Sequence, residues 1–183
     1  MKQAHASIAL FSFVGLALIP VSIAQTPNPQ PRSSNEWQMS RITTQAPAPL
    51  KITYGDKSAS WTPEQLTAMP QTTVTVYNEH TKANETYTGV PLMDLLAQLG
   101  VPATPHGKEM RLYLVAVGSD DYQAVYSVAE VNPSLHDATV IVADTENGKP
   151  LAADGPLKLI ATREKRPARW VRNLVAIRVA SAD

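Results

Sequence analysis

Leu92, Leu95, Leu96 and Leu99 fall at i, i+3, i+4 and i+7, which predicts a short helix with one apolar face lying on a core. Before it, Gly89 is expected to permit a turn that a Cβ would crowd. Pro91 suits a first helical position, and Gly100 a left-handed cap. Upstream, Leu50 to Tyr54 alternates as a strand should, Gly55-Asp56 marks a turn, and Ser58 to Trp61 returns as the hairpin partner. Thr62-Pro63-Glu64-Gln65 then places a hydroxyl cap, a first-turn proline and a glutamine three residues on. This is a capping box, and it opens a helix that ends before Pro70.

Thr72 to Tyr77 is β-branched at nearly every position and reads as a strand. Asn84 to Thr88 is its expected neighbour across a turn at His80 to Ala83. Arg111 to Val117 carries a near-continuous apolar run, which predicts a strand buried on both faces. Gln123 to Tyr126 should pair with it beyond the Ser119-Asp120-Asp121 turn. Ser127-Val128-Ala129-Glu130 forms a second capping box, and Pro133 stops its helix. Thr139 to Ala143, Leu157 to Thr162 and Leu174 to Val179 complete the strands, with Glu146-Asn147-Gly148 as a hairpin signal. Seven or eight strands with three short helices make a mixed, mainly-β α+β domain rather than a bundle or a doubly wound fold.

The ends change the picture. Residues 1–24 read as a secretory signal, with Lys2 as the positive region, an apolar run from Ile8 to Ile19, and Ser22-Ile23-Ala24 before a cut. That run is too short to span a bilayer comfortably, so no stable membrane anchor is expected after cleavage, and a periplasmic or secreted protein is. Residues 25–49, rich in proline and polar side chains, read as a flexible lead, and order is expected from Leu50 to the end, residues 50–183.

Charge and composition narrow the partners. Lys and Arg number 16 against 16 Asp and Glu; this balance argues against a general nucleic-acid or membrane-surface binder. There is no cysteine, which removes disulfides, zinc-thiolate sites and thiol nucleophiles from this chain. No Ser-His-Asp order, phosphate-cradling glycine loop or paired-carboxylate motif points to a hydrolase.

A series of short motifs occurs in one order: Tyr87-Thr88-Gly89-Val90-Pro91-Leu92 with Asp94-Leu95-Leu96, then Asp120-Asp121-Tyr122, then Val142-Ala143-Asp144 with Asn147-Gly148 and Pro150-Leu151. Gly155-Pro156-Leu157-Lys158-Leu159 and Arg169-Trp170-Val171 follow. Over roughly residues 72–179 this series resembles the molybdopterin-binding domain of the sulfite oxidase family. The resemblance implies a sulfite-oxidase-like molybdopterin-binding fold, an oxidoreductase-like role and molybdopterin as the cofactor. It also implies a molybdenum ligand in the form of a cysteine thiolate, at the end of the strand that precedes the Tyr-Thr-Gly-Val-Pro-Leu segment. Here that strand runs into Asn78, Glu79 and His80, and none of these replaces a soft thiolate. No cysteine-ligated molybdenum is therefore expected. Three further departures are Asp120-Asp121-Tyr122, where the family has Asp-Gly-Tyr, Asp154-Gly155-Pro156, where it has His-Gly-x-Pro, and Ala161-Thr162, where a Pro-Gly is usual.

Between residues 158 and 178 lie Lys158, Arg163, Lys165, Arg166, Arg169, Arg172 and Arg178, against the single acid Glu164. Taken alone, such a run is usually a solvated surface. The resemblance places Arg169, with Arg163, Lys165 and Arg166 just upstream, near the pterin phosphate, and Asn78 and His80 at the same cofactor site. His80 also shares a tight hairpin with Glu79 and Glu85, so an imidazole and two carboxylates could approach one point, although an isolated histidine is more often a surface residue. The Asp120-Asp121-Tyr122 carboxylates are read as caps on local amides. The expected function is an exported, oxidoreductase-like protein with a degenerate molybdopterin site. The alternative is a cofactor-free module that keeps the fold and binds a small anion or a protein partner.

Overall fold

A computed structural model describes residues 47–151 and 153–182. The expected signal and most of the expected flexible lead fall outside these residues. Among the described residues, no helix is long and apolar enough to cross a membrane.

The architecture is α+β and dominated by strands. Five strands form one sheet: β1 (Leu50–Tyr54), β2 (Lys57–Trp61), β5 (Leu112–Gly118), β6 (Gln123–Ser127) and β10 (Leu174–Ser181), in the order β2-β1-β10-β5-β6. The second sheet runs β3 (Thr72–Asn78), β4 (Ala83–Pro91), β7 (Val140–Glu146) and the two-residue β8 (Lys149–Pro150), with β9 (Lys158–Ala161) also paired to β7. All pairings are antiparallel except β1 with β10, which are parallel and bring the first and last strands side by side.

Among the described residues, three α-helices fill in between the strands: α1 (Pro63–Thr67), α2 (Leu92–Gln98) and α3 (Val128–Val131). Both expected capping boxes form. Thr62 accepts from the Gln65 amide while the Gln65 side chain accepts from the Thr62 amide, and Ser127 and Glu130 do the same for α3. Each box satisfies backbone donors that the first helical turn leaves orphaned. Leu92, Leu95 and Leu96 are fully buried and Leu99 nearly so, in one apolar core that also takes in Ile52, Leu114 and Ile177 of the first sheet and Tyr87, Ile141 and Leu159 of the second. Leu92→Leu99 spacing thus becomes packing. Gly100, at φ +89, ends α2 with its amide on Ala97 O and the Val101 amide on Leu96 O, the paired bonds of a Schellman cap.

Three expectations need correction. Pro91 is the last residue of β4 and caps α2 from outside, with ψ 130, rather than occupying the first helical position. Gly89 sits inside β4 at a register shift against β7, not in a turn; a Cβ there would lie 2.1 Å from Val142 O, so glycine is required by close backbone approach. The strand buried on both faces is β7, with Val140 to Asp144 all buried, whereas Tyr113 and Val115 of β5 are only partly covered. β7 lies between β4 and β9 and is touched by both α1 and α2. Asp121, where the resemblance leads one to expect glycine, adopts φ +63, a conformation that aspartate tolerates better than most residues.

Candidate functional site

The end of β3, the turn between β5 and β6, the start of β9 and the segment after it converge on a cleft of ≈ 420 Å³. Asn78 and His80 reach it from the β3–β4 hairpin. Asp120 and Tyr122 come from the β5–β6 turn, Asp154 and Lys158 from the entry to β9. Pro167 and Ala168 belong to a 3-10 turn, Pro167–Arg169, and with Trp170 and Arg172 they close the remaining wall.

Lys158 is the charged centre of the floor, only 5% exposed. Its ammonium donates to Asp154 Oδ2 at 2.6 Å and to the Tyr87 hydroxyl at 3.1 Å. It also lies 4.9 Å from the centroid of the Tyr87 ring and 5.6 Å from that of Trp170, so two aromatic faces and a carboxylate hold the buried cation together. The Tyr87 and Trp170 rings meet edge to face at 5.8 Å, and the Trp170 indole N–H donates to Ala161 O at 3.0 Å. Trp170 is therefore both core and cleft wall.

From Lys158 the polar contacts run inward. Tyr87 donates its hydroxyl to Glu85 Oε2 at 2.8 Å, Thr81 donates to Glu85 Oε1 at 2.7 Å, and the Asn78 amide donates to both Glu85 oxygens at 3.0 and 2.8 Å. Burial pushes the Glu85 carboxyl up, but donors from Asn78, Thr81 and Tyr87 outweigh it and hold it below the usual carboxylate value. Burial, reinforced by the Glu85 carboxylate, keeps the Tyr87 hydroxyl protonated. The Asn78 carbonyl oxygen accepts the His80 amide at 2.9 Å, so both ends of that side chain are committed. Glu79 turns away to Lys82 at 2.7 Å; the hairpin therefore does not gather His80, Glu79 and Glu85 around one point. Asp120 accepts the Tyr122 amide at 3.2 Å, the local capping role read from the sequence.

The basic run divides in two. Lys158 and Arg172 belong to the cleft, and the Arg172 guanidinium lies 3.7 Å from Asp154 Oδ1. Arg169 and Arg163 line a separate, smaller cavity of ≈ 140 Å³ with Tyr126, Glu130, His136 and Glu164. Arg163 approaches Asp137 at 3.8 Å, and Lys165 and Arg166 are exposed. Of the six cofactor-site candidates, Asn78 and His80 thus line the cleft and the four basic residues do not. In the sequence, Asp154 and Lys158 stand out only as parts of a motif and a charge run. Their four-residue separation around Gly155-Pro156 was the signal that could have joined them, but the third member, Tyr87, is remote in sequence.

The model of the oxidoreductase molybdopterin binding domain family matches residues 44–183. Among solved structures, the fold is similar to the crystal structure of the sulfane dehydrogenase SoxCD from Paracoccus pantotrophus, with a TM-score of 0.58 and 24% identity over 74% of this chain. The match spans 38% of that neighbour's chain, and at this identity the likeness is one of fold. No curated protein matches the sequence.

Proposed function

The chain belongs to the oxidoreductase molybdopterin binding domain family, and from that premise we propose that it is an exported, oxidoreductase-like protein with a degenerate site: the cleft is kept, while the protein sulfur that would fix molybdenum is not. Asn78 is the observation that carries this reading. It stands at the end of β3, where the resemblance calls for the metal-binding thiolate, and its amide and carbonyl are engaged with Glu85 and His80. Turning it toward a metal would unpair a buried carboxylate and still offer only a hard, weakly held ligand. With no cysteine in the sequence, these residues do not fit a molybdenum centre anchored through a protein thiolate. Export is supported by the signal-like pattern of residues 1–24, which favours a periplasmic or secreted protein.

One observation favours a second reading, a cofactor-free module that binds a small ligand. Asp154 lies in the cleft where it would face an anionic cofactor, and it already neutralises Lys158 and approaches Arg172. Elemental analysis separates the readings from an active molybdenum enzyme. Protein purified after export from a host that makes the cofactor is expected to carry molybdenum well below stoichiometry, and a stoichiometric content overturns the degenerate-site reading.

A further inference from the structure

We propose that the cleft binds a small monocarboxylate, with the Lys158 ammonium and the Arg172 guanidinium as its two anchors; this rests on the reading that the cleft is retained without a thiolate-held metal. A lysine ammonium has three N–H donors; Lys158 gives two of them to Asp154 and Tyr87, and the third belongs to a residue that lines the cleft. Arg172, with its side chain 65% exposed, approaches Asp154 through one nitrogen only, leaving most of its fork free. The acceptors are largely used. The Asn78 carbonyl serves His80, one Asp120 oxygen serves Tyr122, and both Asp154 oxygens face cations. What the cleft has to spare is cationic donors.

Charge and shape then select among anions. Lys158 and Arg172 are matched by Asp154 and Asp120 in the same lining, so the lining has no excess positive charge to offset repulsion from the two carboxylates, and that repulsion grows with the charge of the ligand; one carboxylate group can still be met by the spare ammonium proton and the free part of the Arg172 fork. A planar carboxylate also fits the two parallel donors of a guanidinium. The nearly buried ammonium makes that contact from a poorly hydrated position, where a charge-assisted bond is strongest. Trp170, Pro167 and Ala168 supply a less polar wall for the body of the ligand, and ≈ 420 Å³ is enough for a molecule of metabolite size.

Calorimetric titration of the full chain with lactate and benzoate, beside their amides and sulfate, tests this. At least one carboxylate is expected to bind about tenfold or more tightly than its amide and than sulfate. Arg172→Ala, a change at an exposed position, should weaken that binding about tenfold. Lys158→Gln should abolish the preference for carboxylate over amide. Because Lys158→Gln disturbs a buried ion pair, the Arg172 variant keeps the proposal open to refutation if the other does not fold. Equal binding of acid and amide, tighter binding of sulfate, an unaffected Arg172→Ala, or no carboxylate bound at about 10 mM overturns it. Molybdenum is assayed on the same sample. Metal-poor protein that ignores carboxylates defeats this inference and leaves the degenerate-site reading standing, while stoichiometric metal defeats both.

Discussion

The side-chain amide of Asn78 donates to both carboxylate oxygens of Glu85, at 3.0 and 2.8 Å, across the hairpin that joins β3 to β4. A buried carboxylate is costly unless its oxygens are hydrogen-bonded, and Glu85, 6% exposed, gains further donors from Thr81 and Tyr87. Asn78→Ala should therefore cost about 1–3 kcal/mol by leaving that carboxylate underpaired. Urea denaturation measures it, and a loss near zero would mean that water replaces the amide without penalty.

Acid should undo the same contact. The carboxyl of Glu85 ordinarily titrates near 4.5, and in the fold its donors hold it lower. A depressed carboxylate contributes stability that is present above 4.5 and lost as the pH falls through the lower folded value. Glu85→Gln should accordingly be less stable near neutrality but lose less on acidification. Urea midpoints for both proteins across the acid range check this; parallel pH profiles would assign the acid sensitivity to other groups.

Two core positions should fail for opposite reasons. Leu95→Ala removes a fully buried side chain from α2 and should cost about 2–5 kcal/mol through lost transfer energy and a cavity. Gly89→Ala adds one methyl where Val142 O would lie 2.1 Å away, and because that oxygen is backbone it cannot turn aside; the change should cost about 3 kcal/mol by forcing β4 and β7 apart. Against a total stability of about 5–15 kcal/mol, either change is severe. Thermal or urea unfolding ranks them, and a Gly89→Ala protein as stable as wild type would refute the close-approach reading.

Local devices were legible in the sequence because their partners lie within a few residues. The capping boxes at Thr62 and Ser127, the leucine face of α2 and the Asn147-Gly148 turn each write both halves of a contact into one short stretch. The end of β3 at Asn78 is legible too, since the strand that leads to it has a clear β-branched pattern. The cleft floor was not legible. Lys158, Asp154 and Tyr87 meet only after β4 and β9 have both paired with β7, and no local spacing announces a contact between residues 87 and 158. Parallel pairing of β1 with β10 is equally silent, because it joins opposite ends of the domain. Gly89 shows a different limit: glycine suits a turn and a close backbone approach alike, and only the neighbouring strand decides between them.

Arg169 shows how a charge run can mislead about which cation is available. Its Nε and one terminal nitrogen donate to Glu164, both terminal nitrogens donate to Glu130 at 3.1 Å, and one of them also reaches Val125 O at 3.3 Å. These contacts use all five donors of a guanidinium. Its carbon also lies 4.5 Å from the centre of the Tyr126 ring, and Tyr126 returns a hydroxyl bond to Arg169 O at 2.6 Å. Tyr122 donates to the neighbouring carbonyl of Ala168. The whole arrangement fastens the Pro167–Arg169 turn, and with it one wall of the cleft. An anion could take this guanidinium only by displacing a carboxylate, so Arg169→Ala should loosen the wall rather than delete a ligand contact. Because these groups are partly exposed, solvent screening limits the stability loss to about 1 kcal/mol. Hydrogen exchange at the Trp170 amide, which bonds Pro167 O at 3.1 Å, should accelerate in this variant and not in Arg172→Ala. Unchanged exchange together with a tenfold loss of anion affinity, about 1.4 kcal/mol, would instead place Arg169 directly on the ligand.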